Sequence, residues 1–188
     1  MSAPLRIAVI IASSRPQRVG PTVAEWVMAG TTDREGARYE LVDLAEQDLP
    51  NLDEPEPASS GRYTQDHTRA WSEKVSGFDG FVFVTPEYNR GMPGQLKNAL
   101  DFLYREWNDK AAGLVVYGSS GGLRVAEQLK SVLGELQVAT VRAQVSLSIY
   151  DDMEDFTVMS PRDFQAGNLQ EMLRQTERWA GALATLRS

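Results

Sequence analysis

Cysteine is absent from the chain, and histidine occurs once, at His67. Without cysteine there is no disulfide, no thiol nucleophile and no iron–sulfur ligation, and one histidine effectively excludes a zinc site built from His and Cys. No metal site is expected. The missing cysteine fits either redox compartment. Positive charge is also in deficit, with 19 Lys and Arg against 26 Asp and Glu and a net charge of −7. Nucleic acid is therefore not expected as a partner, because phosphate-backbone binding needs a basic footprint. Long apolar runs are missing as well. The segment Leu5–Ala12 is too short to span a bilayer and is followed by Arg15 and Arg18, so it reads as a first strand rather than a signal peptide. The expectation is a cytoplasmic protein with no membrane attachment.

Neither common nucleotide motif is present. No G-x-x-x-x-G-K-[ST] occurs, and no G-x-G-x-x-G opens the first helix. What the chain does contain is length enough for one domain, residues 1–188, which buries roughly 70% of the surface its unfolded form exposes. Four continuous runs rich in Val, Ile and Phe read as parallel strands buried on both faces: Arg6–Ala12, Gly80–Thr85, Gly113–Gly118 and Ala139–Leu147. A weaker alternating run, Tyr39–Leu44, suits an edge strand. Helical spacing of apolar residues appears over Pro21–Met28, Thr64–Val75, Gly94–Trp107 and Leu123–Leu136, and from Phe164 onward. Strands alternating with helices imply right-handed crossovers and a doubly wound α/β sheet. With five strands the expected architecture is a flavodoxin-like three-layer fold, its parallel sheet in the order 2-1-3-4-5. Ligands then sit beyond the carboxyl ends of the strands, where the strand order reverses.

Three loops meet there. The first, Ala12–Gly20, combines hydroxyls, Arg15 and Arg18 with a helix start at Pro21. Helix-start N–H groups and guanidinium groups make a phosphate cradle, although a solvated turn with a serine cap reads equally well from the loop alone. The second loop, Thr85–Gly94, is bracketed by Pro86 and Pro93 and carries Tyr88, which suits either a flat aromatic ligand or a rigid turn with a surface tyrosine. Asn89, Gly91 and Gly94 are small or polar groups that leave room past such a ligand. The third, Gly118–Gly122, also fits the G-x-S-x-G of a hydrolase nucleophile elbow. That reading fails for want of a base: His67 lies far upstream of Ser120, in a polar helical stretch.

The stretch T-P-E-Y-N-R-G-M-P-G-Q-L-K-N-A-L-D-F, Thr85–Phe102, resembles the signature of the NADPH-dependent FMN reductase family, whose members include quinone, azo-dye and chromate reductases. Ala12–Gly20 resembles the family's phosphate loop, and Tyr117–Arg124 its third loop. The resemblance implies non-covalent FMN, with NADPH or NADH as co-substrate. Ser13, Arg15, Arg18, Val19 and Gly20 would hold the phosphate. Pro86, Glu87, Tyr88 and Asn89 would run along the isoalloxazine edge. Gly118 and Ser119, with Ser120 and Gly121, would close the other side. No side chain need serve as acid, base or nucleophile, because flavin N5 takes the hydride. Electrons would pass to a small-molecule acceptor such as a quinone, flavin or azo compound, in a ping-pong cycle. The family also implies a homodimer, with the helix near Leu96–Trp107 at the contact. Two departures stand out: Ala12 replaces a usual glycine, and Gln17 replaces a frequent one. The acidic segment Pro50–Gly61 reads as a loop over or near the site, or as a solvated surface loop. The alternative from another class is a flavodoxin-type FMN electron carrier reduced by a partner protein, which acidity favours and the loop arginines oppose.

Overall fold

Along each inner strand the residues are apolar in both directions, so the sheet must be covered on both faces. The computed structural model describes residues 3–187. Five strands, β1 (Leu5–Ile11), β2 (Ala37–Asp43), β3 (Gly80–Pro86), β4 (Lys110–Gly118) and β5 (Val138–Ser148), form one parallel sheet in the order 2-1-3-4-5. Helices α1 (Gly20–Ala29) and α5 (Phe164–Leu183) cover one face. Helices α2 (Asp66–Ser76), α3 (Gly94–Asp101) and α4 (Leu123–Glu135) cover the other. The core is accordingly split by the sheet. Ile7, Val9, Ile11, Val82 and Val84 face α1 and α5, whereas Ala8, Ile10, Phe81, Phe83 and Leu114 face the other layer. This is the period-two alternation of strand side chains, with both sets apolar because neither face meets water. No helix among the described residues is long and apolar enough to cross a membrane.

Two expectations need correction. β5 was read as buried on both faces, but it pairs only with β4, and its exposure varies along its length. It is an edge strand whose Val138, Val141, Val145 and Leu147 reach the core. The helix expected over Gly94–Trp107 stops at Asp101. Two tryptophans explain the stop: the Trp71 indole N–H donates to the Ala99 carbonyl at 2.9 Å and the Trp107 indole to the Leu100 carbonyl at 3.2 Å. These carbonyls belong to the last turn, which lacks helical partners and must be satisfied from outside. Trp107 is therefore core, packed edge-on against Phe81 at 4.9 Å, and Leu103 is buried beside it. Neither is exposed for the subunit contact that the family resemblance places near Leu96–Trp107.

The segment Pro50–Gly61 packs on α2 and α3. The Asn98 side chain donates to the Pro50 carbonyl and accepts from the Leu52 N–H, while Glu54 accepts from Thr64 and Gln65 at the start of α2. A short antiparallel hairpin, β6 (Met153–Glu154) and β7 (Val158–Met159), follows β5 and was not foreseen.

The close approach of α5 to β4 depends on Gly113, where the β4–β5 register slips. A Cβ there would lie 2.0 Å from Met172 Sδ and 2.7 Å from Thr176 Oγ1. Gly113→Ala should therefore cost about 1–3 kcal/mol through overpacking. Urea denaturation checks it, as a lower midpoint with an unchanged slope.

Candidate functional site

The carboxyl ends of β1, β3 and β4 open onto a cavity of about 300 Å³. Of the residues expected there, Arg15 and Val19 line it from the first loop, Pro86, Glu87 and Tyr88 from the second, and Gly118 and Ser119 from the third. Asn89 is exposed, in the turn beyond Tyr88, and Ser120 and Gly121 are not part of the lining. Tyr117, Ile149 and Phe156 also line the cavity and were missed. Tyr117 was hidden inside a strand. Ile149 and Phe156 belong to the segment after β5, to which no element had been assigned.

The second and third loops are tied by Glu87. Its N–H donates to the Tyr117 carbonyl at 2.8 Å. Its carboxylate accepts from the Arg124 N–H at 3.0 Å, the Val125 N–H at 3.3 Å and the Arg124 guanidinium at 2.9 Å. A carboxylate thus sits on the free N–H groups and positive dipole end of α4, whose own start offers no side-chain cap. Burial works to raise the Glu87 pKa, but the Arg124 side chain and the two backbone donors outweigh it and hold the pKa below the usual carboxylate range. Gly122 makes the seat possible. It has φ of +69°, and a Cβ there would lie 2.8 Å from Tyr117 N.

Beyond Glu87 the chain reverses at once. Tyr88 and Gly91 exchange backbone hydrogen bonds at 2.9 Å in both directions, with φ of +50° at Asn89 and +70° at Arg90. Two consecutive left-handed residues define a type I′ turn. Gln128 of α4 holds it by accepting from the Met92 N–H at 2.8 Å. A side chain at Gly91 would meet Gln128, 3.1 Å away, so Gly91 faces α4 and not the cavity.

The first loop is satisfied far less well. Ser13 is fully buried, yet its Oγ lacks a hydrogen-bond partner of normal geometry among the described residues, and Arg18 Nε is buried in the same condition. The Arg18 Nη2 pairs with Asp43 at the end of β2, so this guanidinium is turned partly away from the cavity. Arg15 is exposed at the mouth and bonds only to the carbonyls of Pro16 and Gln17 among the described residues. Val19, at the start of α1, provides no side-chain cap. Under this loop lies the buried Tyr117 phenol. Burial drives its pKa well above the ordinary value, and Tyr88 adds to the rise, while the nearby Ser13 hydroxyl and the charges of Arg15 and Arg18 oppose it. The phenol consequently stays protonated.

Both departures from the family pattern are now explained. Ala12 is buried at the end of β1 outside the left-handed region, so its Cβ is tolerated. Gln17 has φ of +56°, a conformation that glycine adopts at no steric cost. His67 is not at the cavity. It pairs with Asp53 at 2.9 Å and meets Phe102 edge-on.

Residues 5–152 match a family model described as NADPH-dependent FMN reductase. The chain is 46% identical over 149 residues to an NAD(P)H-dependent FMN reductase of Schizosaccharomyces pombe, covering 78% of this chain and 74% of that one. It is 38% identical over 148 residues to an NAD(P)H-dependent FMN reductase of Saccharomyces cerevisiae, covering 73% and 78%. Among solved structures, the flavoenzyme NAD(P)H:(acceptor) oxidoreductase FerB of Paracoccus denitrificans superposes with a TM-score of 0.73 at 19% identity, over 93% of this chain and 98% of that one. At that identity the match speaks to the fold.

The Glu87 clamp has a measurable consequence. Glu87→Gln removes the charge from three hydrogen bonds and should cost about 1.5–3 kcal/mol at neutral pH. A carboxyl with a depressed folded-state pKa adds stability above its unfolded value and loses it as pH falls through the folded one. The stability gap between wild type and variant should thus be level from about pH 8 to 6 and close below about pH 4. Denaturant titrations across that range test it; a gap that widens in acid would contradict the assignment.

Proposed function

The chain belongs to the NADPH-dependent FMN reductase family, and from that premise we propose that the cavity at the carboxyl edge of its sheet holds FMN with the phosphate at the loop between β1 and α1. The protein is an NAD(P)H-dependent flavin oxidoreductase, an enzyme rather than a carrier that needs a protein to reduce it. One observation carries the phosphate assignment. Two buried polar atoms, Ser13 Oγ and Arg18 Nε, lack partners of normal hydrogen-bond geometry among the described residues, in one loop at an uncapped helix start. Buried polar groups are almost always paired, and an anion seated on this loop would pair both. When bound, FMN supplies the redox chemistry, taking hydride from NADPH or NADH and yielding electrons to a small-molecule acceptor.

The chain's own residues bind and orient. Ser13, Arg15, Arg18, Val19 and Gly20 hold the phosphate, Arg15 being free to swing inward because no carboxylate pairs with it among the described residues. The Tyr117 phenol, protonated by burial, is an O–H donor beneath the same loop. Pro86, Glu87 and Tyr88 flank one side of the flat ring system, and Gly118 and Ser119 the other, while Asn89, Ser120 and Gly121 shape the loops behind them. The turn at Asn89 and Arg90, held by Gln128, keeps Tyr88 in place without help from a ligand. No side chain in this set is asked to transfer a proton. Nicotinamide and acceptor enter this same cavity in turn, which is a ping-pong order. The same reading takes the protein as a cytoplasmic homodimer. The acidic surface supports the location, and the exposed Tyr88 and Leu123, on the two loops that Glu87 joins, support an association face beside the cavity.

Titration of FMN and riboflavin by fluorescence quenching tests the phosphate assignment. FMN should bind far more tightly, and Arg15→Ala should weaken FMN by about 1.5–3 kcal/mol with riboflavin unaffected. Equal affinities would overturn it. Anaerobic stopped flow should then show NADPH bleaching the bound flavin directly. A flavin that dithionite reduces, but that both nicotinamides leave oxidised for minutes, would return the carrier reading.

A further inference from the structure

The hairpin after β5 presents two aromatic rings that serve no core. Phe156 lines the cavity and meets Tyr150 in an edge-on contact, with ring centroids 5.7 Å apart and planes at 83°. Tyr150 is 63% exposed and Phe156 56% exposed. The backbone that carries Phe156 is unfavourable for it. Asp155 has φ of +47° and Phe156 φ of +58°, in the turn between β6 and β7. A bulky residue in the left-handed region is a true outlier, and such strain persists where the surroundings impose it, often at ligand sites. Burial does not repay the strain here, since the ring remains mostly in solvent.

The surroundings do impose it. Asp152 is fully buried at the root of the hairpin and accepts from the Ser148 N–H at 2.8 Å, the Arg162 N–H at 3.0 Å and the Arg162 guanidinium at 3.0 and 2.9 Å. The Ser160 N–H closes the loop onto the Asp152 carbonyl at 3.0 Å. The rings therefore stand on a fixed support, and Phe156 shares the cavity lining with Tyr88. The rim around them is negative. Five of residues 150–163 are acidic and one, Arg162, is basic and already committed to Asp152. Asp151, Glu154 and Asp155 remain exposed around the rings.

We propose that the Tyr150–Phe156 pair is the wall on which a flat aromatic electron acceptor stacks, and that the acidic rim selects neutral or cationic acceptors over anionic ones. The assignment rests on the flavin-reductase reading above. Apolar rings within a negative rim match an uncharged quinone. They do not match the phosphates of a nicotinamide dinucleotide, which the arginines of the first loop suit better.

The test uses FMN-loaded wild type, Phe156→Gly, Phe156→Leu and Phe156→Tyr. Glycine accepts the left-handed backbone, so Phe156→Gly should unfold at the same temperature as wild type or higher. Its KM for the neutral naphthoquinone menadione should nevertheless rise about tenfold with little change in kcat, the scale of one lost ring stack. Calorimetric binding of redox-inert 1-naphthol to the oxidised holoenzyme should weaken in parallel. Phe156→Leu should lose part of both and Phe156→Tyr should restore them. Wild type should favour menadione over 1,2-naphthoquinone-4-sulfonate in kcat/KM, and Glu154→Gln with Asp155→Asn should narrow that preference. Unchanged menadione KM and 1-naphthol binding in Phe156→Gly overturn the proposal alone. So does a fall in FMN affinity of about tenfold or more, which would make Phe156 part of the cofactor seat. Failure of wild type to bind FMN overturns the reductase reading, and the proposal with it.

Discussion

The Glu87 carboxylate on the amino end of α4 is the interaction on which the site depends. A carboxylate this enclosed is stable only if its lone pairs are filled, and one guanidinium and two backbone N–H groups fill them. The consequence is geometric. The loop after β3 and the loop after β4 become a single body, since Glu87 also bonds through its own N–H to Tyr117 in β4. Gly122 must be glycine for α4 to start close enough to present those donors. The Tyr88–Gly91 turn hangs from the same point and is braced by Gln128, again from α4. Two parallel strands, one helix start and one tight turn are thereby set in a fixed relation before any ligand arrives.

The opposite side of the cavity is built on a different principle. There the sheet ends in a loop whose buried Ser13 Oγ and Arg18 Nε lack partners of normal geometry among the described residues, and whose helix start is uncapped. The ion pair between Arg18 and Asp43 fills part of the deficit. Such a pair in a half-buried place is a compromise, because desolvation offsets much of the Coulomb gain. It keeps one guanidinium positioned and leaves its Nε free. One wall is complete by itself, and in the proposed function an anion completes the other. That asymmetry fits a ligand with a flat end and a charged end.

Much of this was legible in the sequence, for physical reasons that also mark where legibility stopped. Parallel strands covered on both faces read as unbroken apolar runs, so β1, β3 and β4 were evident, and their carboxyl ends gave the site its location. α3 was read too long because apolar spacing continues through Leu103 and Trp107, while the stop is imposed by indole N–H groups that no local pattern reveals. β5 looked like an inner strand because edge position depends on pairing, which is non-local. The hairpin at Met153–Met159 escaped notice because its strands are two residues each and its left-handed turn uses Asp155 and Phe156 instead of asparagine and glycine. Ile149 and Phe156 were missed with it. The signature segment itself proves to be partly architectural: Asn98 clamps the backbone of Pro50 and Leu52, and Leu96, Ala99 and Leu100 are core.

The electrostatics of the cavity also bear on what its residues do. Glu87 is held below the carboxylate range and Tyr117 is pushed above the phenol range. Both displacements move a proton equilibrium away from neutrality, in opposite directions. Arg15 and Arg18 are charged at any pH the fold survives. The single imidazole of the chain lies elsewhere, against Phe102 and Asp53. Enzymes that rely on acid–base groups tune them toward the working pH. Here the environment tunes the Glu87 and Tyr117 side chains away from it, so the charge they present stays constant while ligands come and go. That constancy supports the proposed function, in which the site holds and orients an electron-transferring group in a steady field and leaves proton traffic to solvent and to the ligands themselves.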